Sequence, residues 1–149
     1  MKIYLAARYS RRLELCGYRD RLRALGHEVN ARWLDGAHQI SDNGTPIGES
    51  GESLVEGDSG SESPHAVALR QKFAEEDYRD VLDCDLLVAF TEPPRSPHSR
   101  GGRHVELGMA LGAGILVSVV GYRENIFCWL PEVSFAETWE EFLSDLPAV

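Results

Sequence analysis

Three cysteines are scattered at positions 16, 84 and 128, with no C-x-x-C pair and no zinc-ligand spacing. That argues against a disulfide scaffold or a cysteine metal site. Cys84 and Cys128, beside apolar runs, read as buried thiols. The five histidines show no metal-ligand pattern either, so neither a metal nor a cofactor is assigned. No apolar run approaches the length needed to cross a bilayer. The longest, around Leu111 to Val120, carries glycine and serine. Lys2 leads straight into a short strand-like run, so the reading is a chain with no signal peptide, working in the reducing cytoplasm. No internal repeat is visible.

Basic residues are missing from a whole segment. Between Trp33 and Leu69 there is no lysine or arginine, while seven acidic residues fall there, a large share of the net charge of −9. An acidic protein of this kind argues against nucleic acid as a partner, and nothing points to a membrane. Asp35 to Pro64 is rich in Gly, Ser, Asp and Glu and cannot bury enough surface to order itself. A loop of that length, about 36–64, is either disordered or a lid ordered by substrate. Arginines gather elsewhere. Arg8, Arg11, Arg12, Arg95, Arg100 and Arg103 all lie in or beside two expected strand-to-helix loops. A small cationic pocket on an acidic protein suits a small anionic ligand such as a nucleotide.

Length bounds the chain to one domain over 1–149. Lys2 to Ala7 is short and apolar, as expected of a central parallel strand. Ser10 is a candidate N-cap for a helix from Arg11 to Leu25, which Gly26 would end. Glu28 to Trp33 alternates and reads as an edge strand. His65 to Asp83 is a second helix, and Leu86 to Phe90 a strand buried on both sides. A stiff loop with Pro93, Pro94 and Pro97 follows. A helix from Arg103 to Leu111, a strand from Ile115 to Val120 and a short strand from Pro131 to Phe135 come next. Thr138 and Glu141 form a capping box for a last helix through Leu146. The order implies an α/β fold: a doubly wound, parallel five-stranded sheet, flavodoxin-like or Rossmann-like, in order 2-1-3-4-5 with helices on both faces. Ligands then bind at the carboxyl ends of strands one and three.

The stretch from Ser99 to Gly114 (S-R-G-G-R-H-V-E-L-G-M-A-L-G-A-G) lies at that end. Gly101 and Gly102 let the backbone approach a ligand closely, and the first helical amides point at it. Glu106 is expected in the first turn, inside an apolar segment, where the helix N-terminus keeps it ionised. Such a carboxylate suits attack on a sugar carbon. It equally suits a first-turn acid that only complements the helix dipole. Asp77 lies in a charge run that reads as a solvated face, and Tyr4 reads as a core tyrosine.

Three motifs in order change the weighting: K-I-Y-L-A-A at the start, F-A-E-E-D-Y-R-D before the third strand, and Glu106-Leu107-Gly108. Together with G-Y-R-E-N-I-F-C-W-L-P and the final W-E-E-F-L, they resemble the nucleoside 2-deoxyribosyltransferase family and the related nucleotide N-glycosidases. The resemblance covers most of the chain outside 36–64. It implies that Glu106 is the nucleophile forming a glycosyl intermediate. Asp77 becomes the acid that protonates the leaving base, and Tyr4 the group that orients Glu106. It also implies that the segment Tyr122 to Asn125 reaches a neighbouring subunit's pocket, with Asn125 or Tyr122 completing it.

Arg8, Ser10, Arg11 and Arg100 are candidate phosphate contacts. Tyr9 and Trp33 are candidates to sandwich a planar base. His104 diverges from Glu106 on the helix and is expected only to support the site. The transferases place an acidic residue six positions before the catalytic Glu. Arg100 stands there, which favours a nucleotide. The leading reading is an N-glycosidase acting on a nucleoside or deoxynucleoside 5′-monophosphate. Base exchange by a 2-deoxyribosyltransferase and a non-catalytic nucleotide-binding module are the rivals. The helix from Arg103 to Leu111 is apolar nearly all round, and Gly108, Ala110 and Gly112 permit close packing. The expected partner is therefore a second copy, in a homodimer or higher homo-oligomer with shared sites.

Overall fold

Five parallel strands form one sheet, β1 (Lys2–Ala6), β2 (Glu28–Val29), β3 (Leu86–Phe90), β4 (Leu116–Val120) and β5 (Val133–Ala136), in the order β2-β1-β3-β4-β5. The computed structural model describes residues 1–36, 64–96 and 101–147. The expected α/β, doubly wound parallel order is the observed one. β1 and β3 are the central pair, in register from Ile3 opposite Leu86 to Ala6 opposite Ala89. Their near-continuous Leu, Val, Ile and Ala content follows from this, since a central parallel strand is covered on both faces.

Among the described residues, four helices connect and flank the strands: α1 (Arg12–Ala24), α2 (Pro64–Leu82), α3 (Gly102–Gly112) and α4 (Trp139–Asp145). Right-handed crossovers send the β1-to-β2 and β2-to-β3 connections in opposite directions, so α1 lies on one face and α2 with α3 on the other. α4 joins α1: Tyr18 stacks on Trp139 at 4.3 Å, and Arg21 pairs with Glu140 at 2.8 Å. Phe90 and Phe142 extend the aromatic cluster. The Thr138 hydroxyl accepts from the Glu141 amide, as the capping box requires, and the Glu141 carboxylate reaches back to the Glu137 amide. Arg123 sits over the rings of Trp129 and Phe135, its guanidinium carbon 4.2 and 3.9 Å from the two centroids.

The second strand is much shorter than the alternation of residues 28–33 predicts. After Val29 the chain turns away, and Trp33 falls in a 3-10 turn, Arg32–Asp35. Four hydrogen bonds explain this. Asn30 Nδ2 donates to the Asp80 carbonyl, Arg32 binds the Asp80 carboxylate through backbone and side chain, and the Trp33 indole donates to the Leu5 carbonyl. Asp80 is thus buried against Arg32 rather than solvated. Gly36 ends the turn at φ 94°, directly above the buried Arg12, whose Nη1 donates to the Leu34 carbonyl. Ser10 is not the cap of α1. Tyr9–Arg11 forms a 3-10 turn and the N-cap position falls to Arg11, with no side-chain cap.

α3 also departs from expectation. Gly101, left-handed at φ 79°, is the N-cap, so the helix starts at Gly102 and Glu106 is its fifth residue, in the second turn. The dipole field fades within the first turn, so it acts on Glu106 less than a first-turn position would imply. Nor is α3 buried all round within the chain. Arg103, Leu107 and Ala110 face inward, while Val105 is 58% exposed and Gly108 and Gly112 are exposed too.

At the opposite end of the sheet, His27 is buried and its Nδ1 makes no hydrogen bond. Burial, and then the N-terminal ammonium, push its pKa below the ordinary histidine value. The folded state therefore refuses a proton that the unfolded chain accepts. Stability is unaffected above the unfolded pKa of about 6.5 and falls as pH drops from there towards the lower folded value. Melting curves at pH 8 and pH 5 should show a smaller acid-induced loss of Tm for His27→Gln than for the parent chain.

Candidate active site

The centre of the site is a hydrogen bond between the sheet and α3. Tyr4, fully buried on β1, donates its hydroxyl to Glu106 Oε1 at 2.6 Å. The residues are 102 apart in sequence. Side chains alternate along β1, so Tyr4 and Ala6 face α3 while Ile3 and Leu5 face α1. A short O–H···O contact to a carboxylate is among the stronger protein hydrogen bonds, and it fixes the carboxylate's rotamer. The structure thus joins two of the three expected catalytic side chains.

The third, Asp77, is on α2, which packs against α3 and the Arg32–Asp35 turn. It is half-buried, on the flank that carries the buried Phe73, Asp80 and Val81, whereas Glu75 and Tyr78 are exposed. The charge run around it is therefore not one uniform solvated face. Arg32 is nearby. Its pKa is raised chiefly by the Asp80 hydrogen bond, with smaller electrostatic contributions from Glu76 and Asp77.

The expected cationic pocket is largely neutralised. Arg11 makes a fork to Glu14 at 2.7 and 2.8 Å and reaches Glu92 at 3.3 Å. The Glu14 hydrogen bond is the main reason its pKa is raised. Glu14 in turn is held below the usual carboxylate range, first by Arg11 and also by the Tyr18 hydroxyl, while burial and Glu14 push that Tyr18 hydroxyl up to about 12. Arg12 is buried on Leu34, and Arg103 binds Glu124 through two nitrogens. Arg8 is the least engaged. Its Nε lies 3.4 Å from Glu92 without a hydrogen bond, and its side chain makes no further ion pair among the described residues. Arg95, at φ 66°, is exposed beyond β3, and Arg100 lies outside the described residues.

Tyr9 and Trp33 do not form a base sandwich. Both are buried, tilted by 46° with centroids 6.1 Å apart, and in contact with each other. Their polar atoms are used internally, the Tyr9 hydroxyl on the Gly36 carbonyl and the Trp33 indole on Leu5. Ser10 is exposed on its turn. Gly101 and Gly102 open α3 as expected, Gly101 as its left-handed N-cap.

The loop after β4 locks onto the start of α3. Glu124 takes Arg103 and lies 3.3 Å from His104 Nε2, while Asn125 Nδ2 is 3.4 Å from His104 Nδ1. An amide donor at Nδ1 assigns the His104 proton to Nε2, facing Glu124. Burial, then the Arg103 charge, lower the His104 pKa, with Glu124 opposing. Asn125 Oδ1 caps the following 3-10 turn at the Phe127 amide, which fixes the segment Tyr122 to Asn125 expected to reach a second subunit. Sequence reasoning missed two acids, Glu92 and Glu124. Glu92 follows β3 and meets Arg8 and Arg11, while Glu124 follows β4 and meets Arg103 and His104; an acid just past a buried strand was the available signal. Among the described residues no His, Cys, Asp or Glu group is placed to hold a metal ion.

No family model matches the chain, and no curated protein does. Among solved structures, the CMP N-glycosidase BcmB of Clostridium botulinum is similar, with a TM-score of 0.51 over 97% of this chain and 96% of that one, at 21% identity. A likeness at that identity establishes a shared α/β fold with the same strand order.

Proposed function

We propose that this chain is an N-glycosidase that hydrolyses a nucleoside or deoxynucleoside 5′-monophosphate, releasing free base and a sugar 5-phosphate. The observation that carries the reading is the Tyr4 hydroxyl, in the middle of the central strand β1, fixed on the Glu106 carboxylate of α3. The similar fold of a CMP N-glycosidase supports it.

With Oε1 held by Tyr4, Oε2 of Glu106 attacks the anomeric carbon. The carbon–nitrogen bond breaks, its electron pair goes to the base, and Asp77 supplies the proton. Water then attacks the same carbon, the ester bond to Glu106 breaks, and its proton returns to Asp77. Sugar 5-phosphate leaves and both carboxyl groups are restored. Tyr4 orients a carboxylate that a helix dipole alone would hold loosely in the second turn.

Assembly belongs to the same proposal. Val105 on α3 and Ile126, Phe127 and Trp129 after β4 are 58, 78, 58 and 68% exposed. Aromatic-rich patches of this kind are typical of interface cores, and the occupant we assign is a second copy of the chain.

Glu106→Gln should abolish base release, measured by chromatography on a panel of nucleosides and 5′-monophosphates, with Tm retained. A near-parental rate would overturn the mechanism. Added free base that emerges in a new nucleoside would instead identify base transfer. Tyr4→Phe should lower kcat roughly 10- to 100-fold, the equivalent of one hydrogen bond to a charged group. Gly108→Leu should shift sedimentation from dimer to monomer while keeping the fold, because a Cβ at Gly108 meets nothing within 4 Å in the single chain.

A further inference from the structure

Glu92 lies two residues beyond β3, and only 8% of it is exposed. A carboxylate so placed is costly to bury unless it is paired. Its Oε1 is shared by two arginines of the β1–α1 loop, Arg11 Nη1 at 3.3 Å and Arg8 Nε at 3.4 Å. The two guanidinium groups are held very differently. Arg11 is used on three sides, by the Glu14 fork, by Glu92 and the Thr91 carbonyl, and by the Phe90 ring 5.5 Å below it. Arg8 is approached only by the charge of Glu92, 3.4 Å from an Nε that is buried and makes no hydrogen bond in the free protein. Its terminal amino groups, the edge that matches two phosphate oxygens, are not used by any of the described residues.

From this arrangement we infer that Glu92 is a positioning residue. It holds the Arg8 guanidinium by charge on its Nε side so that the two terminal nitrogens meet the substrate's 5′-phosphate, and Arg11, which does hydrogen-bond Glu92, keeps that carboxylate in place instead of binding phosphate itself. The inference rests on the monophosphate reading above. Arg8 and Arg11 against Glu14 and Glu92 carry no net charge, so the loop attracts a dianion little by potential alone. Recognition then depends on where the Arg8 fork points, and Glu92 sets that. Phosphate selectivity is accordingly split between a contacting arginine and a buried acid that never touches the ligand.

The test is steady-state kinetics on the full chain, using the 5′-monophosphate turned over fastest in a panel of ribo- and deoxyribonucleotides, and its parent nucleoside. Glu92→Gln should raise KM for the monophosphate roughly tenfold, with kcat and the nucleoside KM unchanged. Arg8→Ala should do the same, and the double variant should be no worse than Arg8→Ala alone. If Glu92→Gln lowers Tm, Glu92→Asp, which keeps the charge and shortens the reach, is expected to show the same selective rise in smaller measure. An equal rise for both substrates, or additive single effects, would overturn the inference. So would an Arg8→Ala effect with none from either Glu92 variant, and in that case the phosphate reading stands. Arg8→Ala with no change in monophosphate preference would overturn the phosphate reading and this inference together. Base release surviving in that variant would leave the glycosidase reading intact.

Discussion

The buried hydroxyl of Tyr4 is the point on which the site depends. A phenol at the centre of a parallel sheet has water on neither side, and leaving its O–H unpaired would cost about 1–3 kcal/mol. The nearest solution the fold provides is the carboxylate of Glu106, 2.6 Å away on α3. Satisfying the tyrosine and aiming the carboxylate are one event. The requirement runs outward. α3 must keep the rotation about its axis that turns Glu106 to β1, and that rotation turns Leu107 and Ala110 into the core and leaves Val105 outside.

Around that pair, the rim at the carboxyl end of the sheet is cross-linked by arginine–carboxylate pairs. Arg32 with Asp80 ties the turn after β2 to α2. Arg8 and Arg11 with Glu92 tie the turn after β1 to the exit of β3. Arg103 with Glu124 ties α3 to the loop after β4. Buried ion pairs add little net stability compared with apolar packing, but removing one partner leaves an uncompensated charge. Their effect here is to fix loop against loop where parallel strands end and backbone pairing is no longer available. The small net charge of the rim follows from this use of its arginines.

Much of this was legible in the sequence. Apolar runs of five and turn residues between them give a parallel sheet its signature, and the capping box at Thr138 marked α4 to within a residue. The pairing of Tyr4 with Glu106 was expected only through resemblance, since nothing local in K-I-Y-L-A-A says which helix the tyrosine meets. The failures are equally physical. Alternation at Val29, Ala31 and Trp33 looked like strand, yet the Asp80 carboxylate, 48 residues away from Arg32, bends that segment into a turn. The arginines looked like a free cationic pocket because their partners, Glu92 and Glu124, come from other loops. Tyr9 and Trp33 looked available for a ligand because aromatic residues near a loop do not reveal that their polar atoms are already spent on backbone carbonyls. In each case a contact distant in sequence overrode a local pattern.

The central strand pair also bears on how the chain is made. Ile3 of β1 lies beside Leu86 of β3, while its other neighbour, β2, contributes two residues. A nascent chain must therefore extend past Phe90 before its first strand gains a full partner. Until then an apolar edge stands open, the kind of exposure that invites pairing with another chain. Closing a loop of that size slows folding far more than it weakens the folded state, because the entropic penalty grows only about 0.6 kcal/mol per doubling of length. Lengthening or shortening the segment between β2 and α2 should accordingly be felt first in the rate at which newly made chains fold.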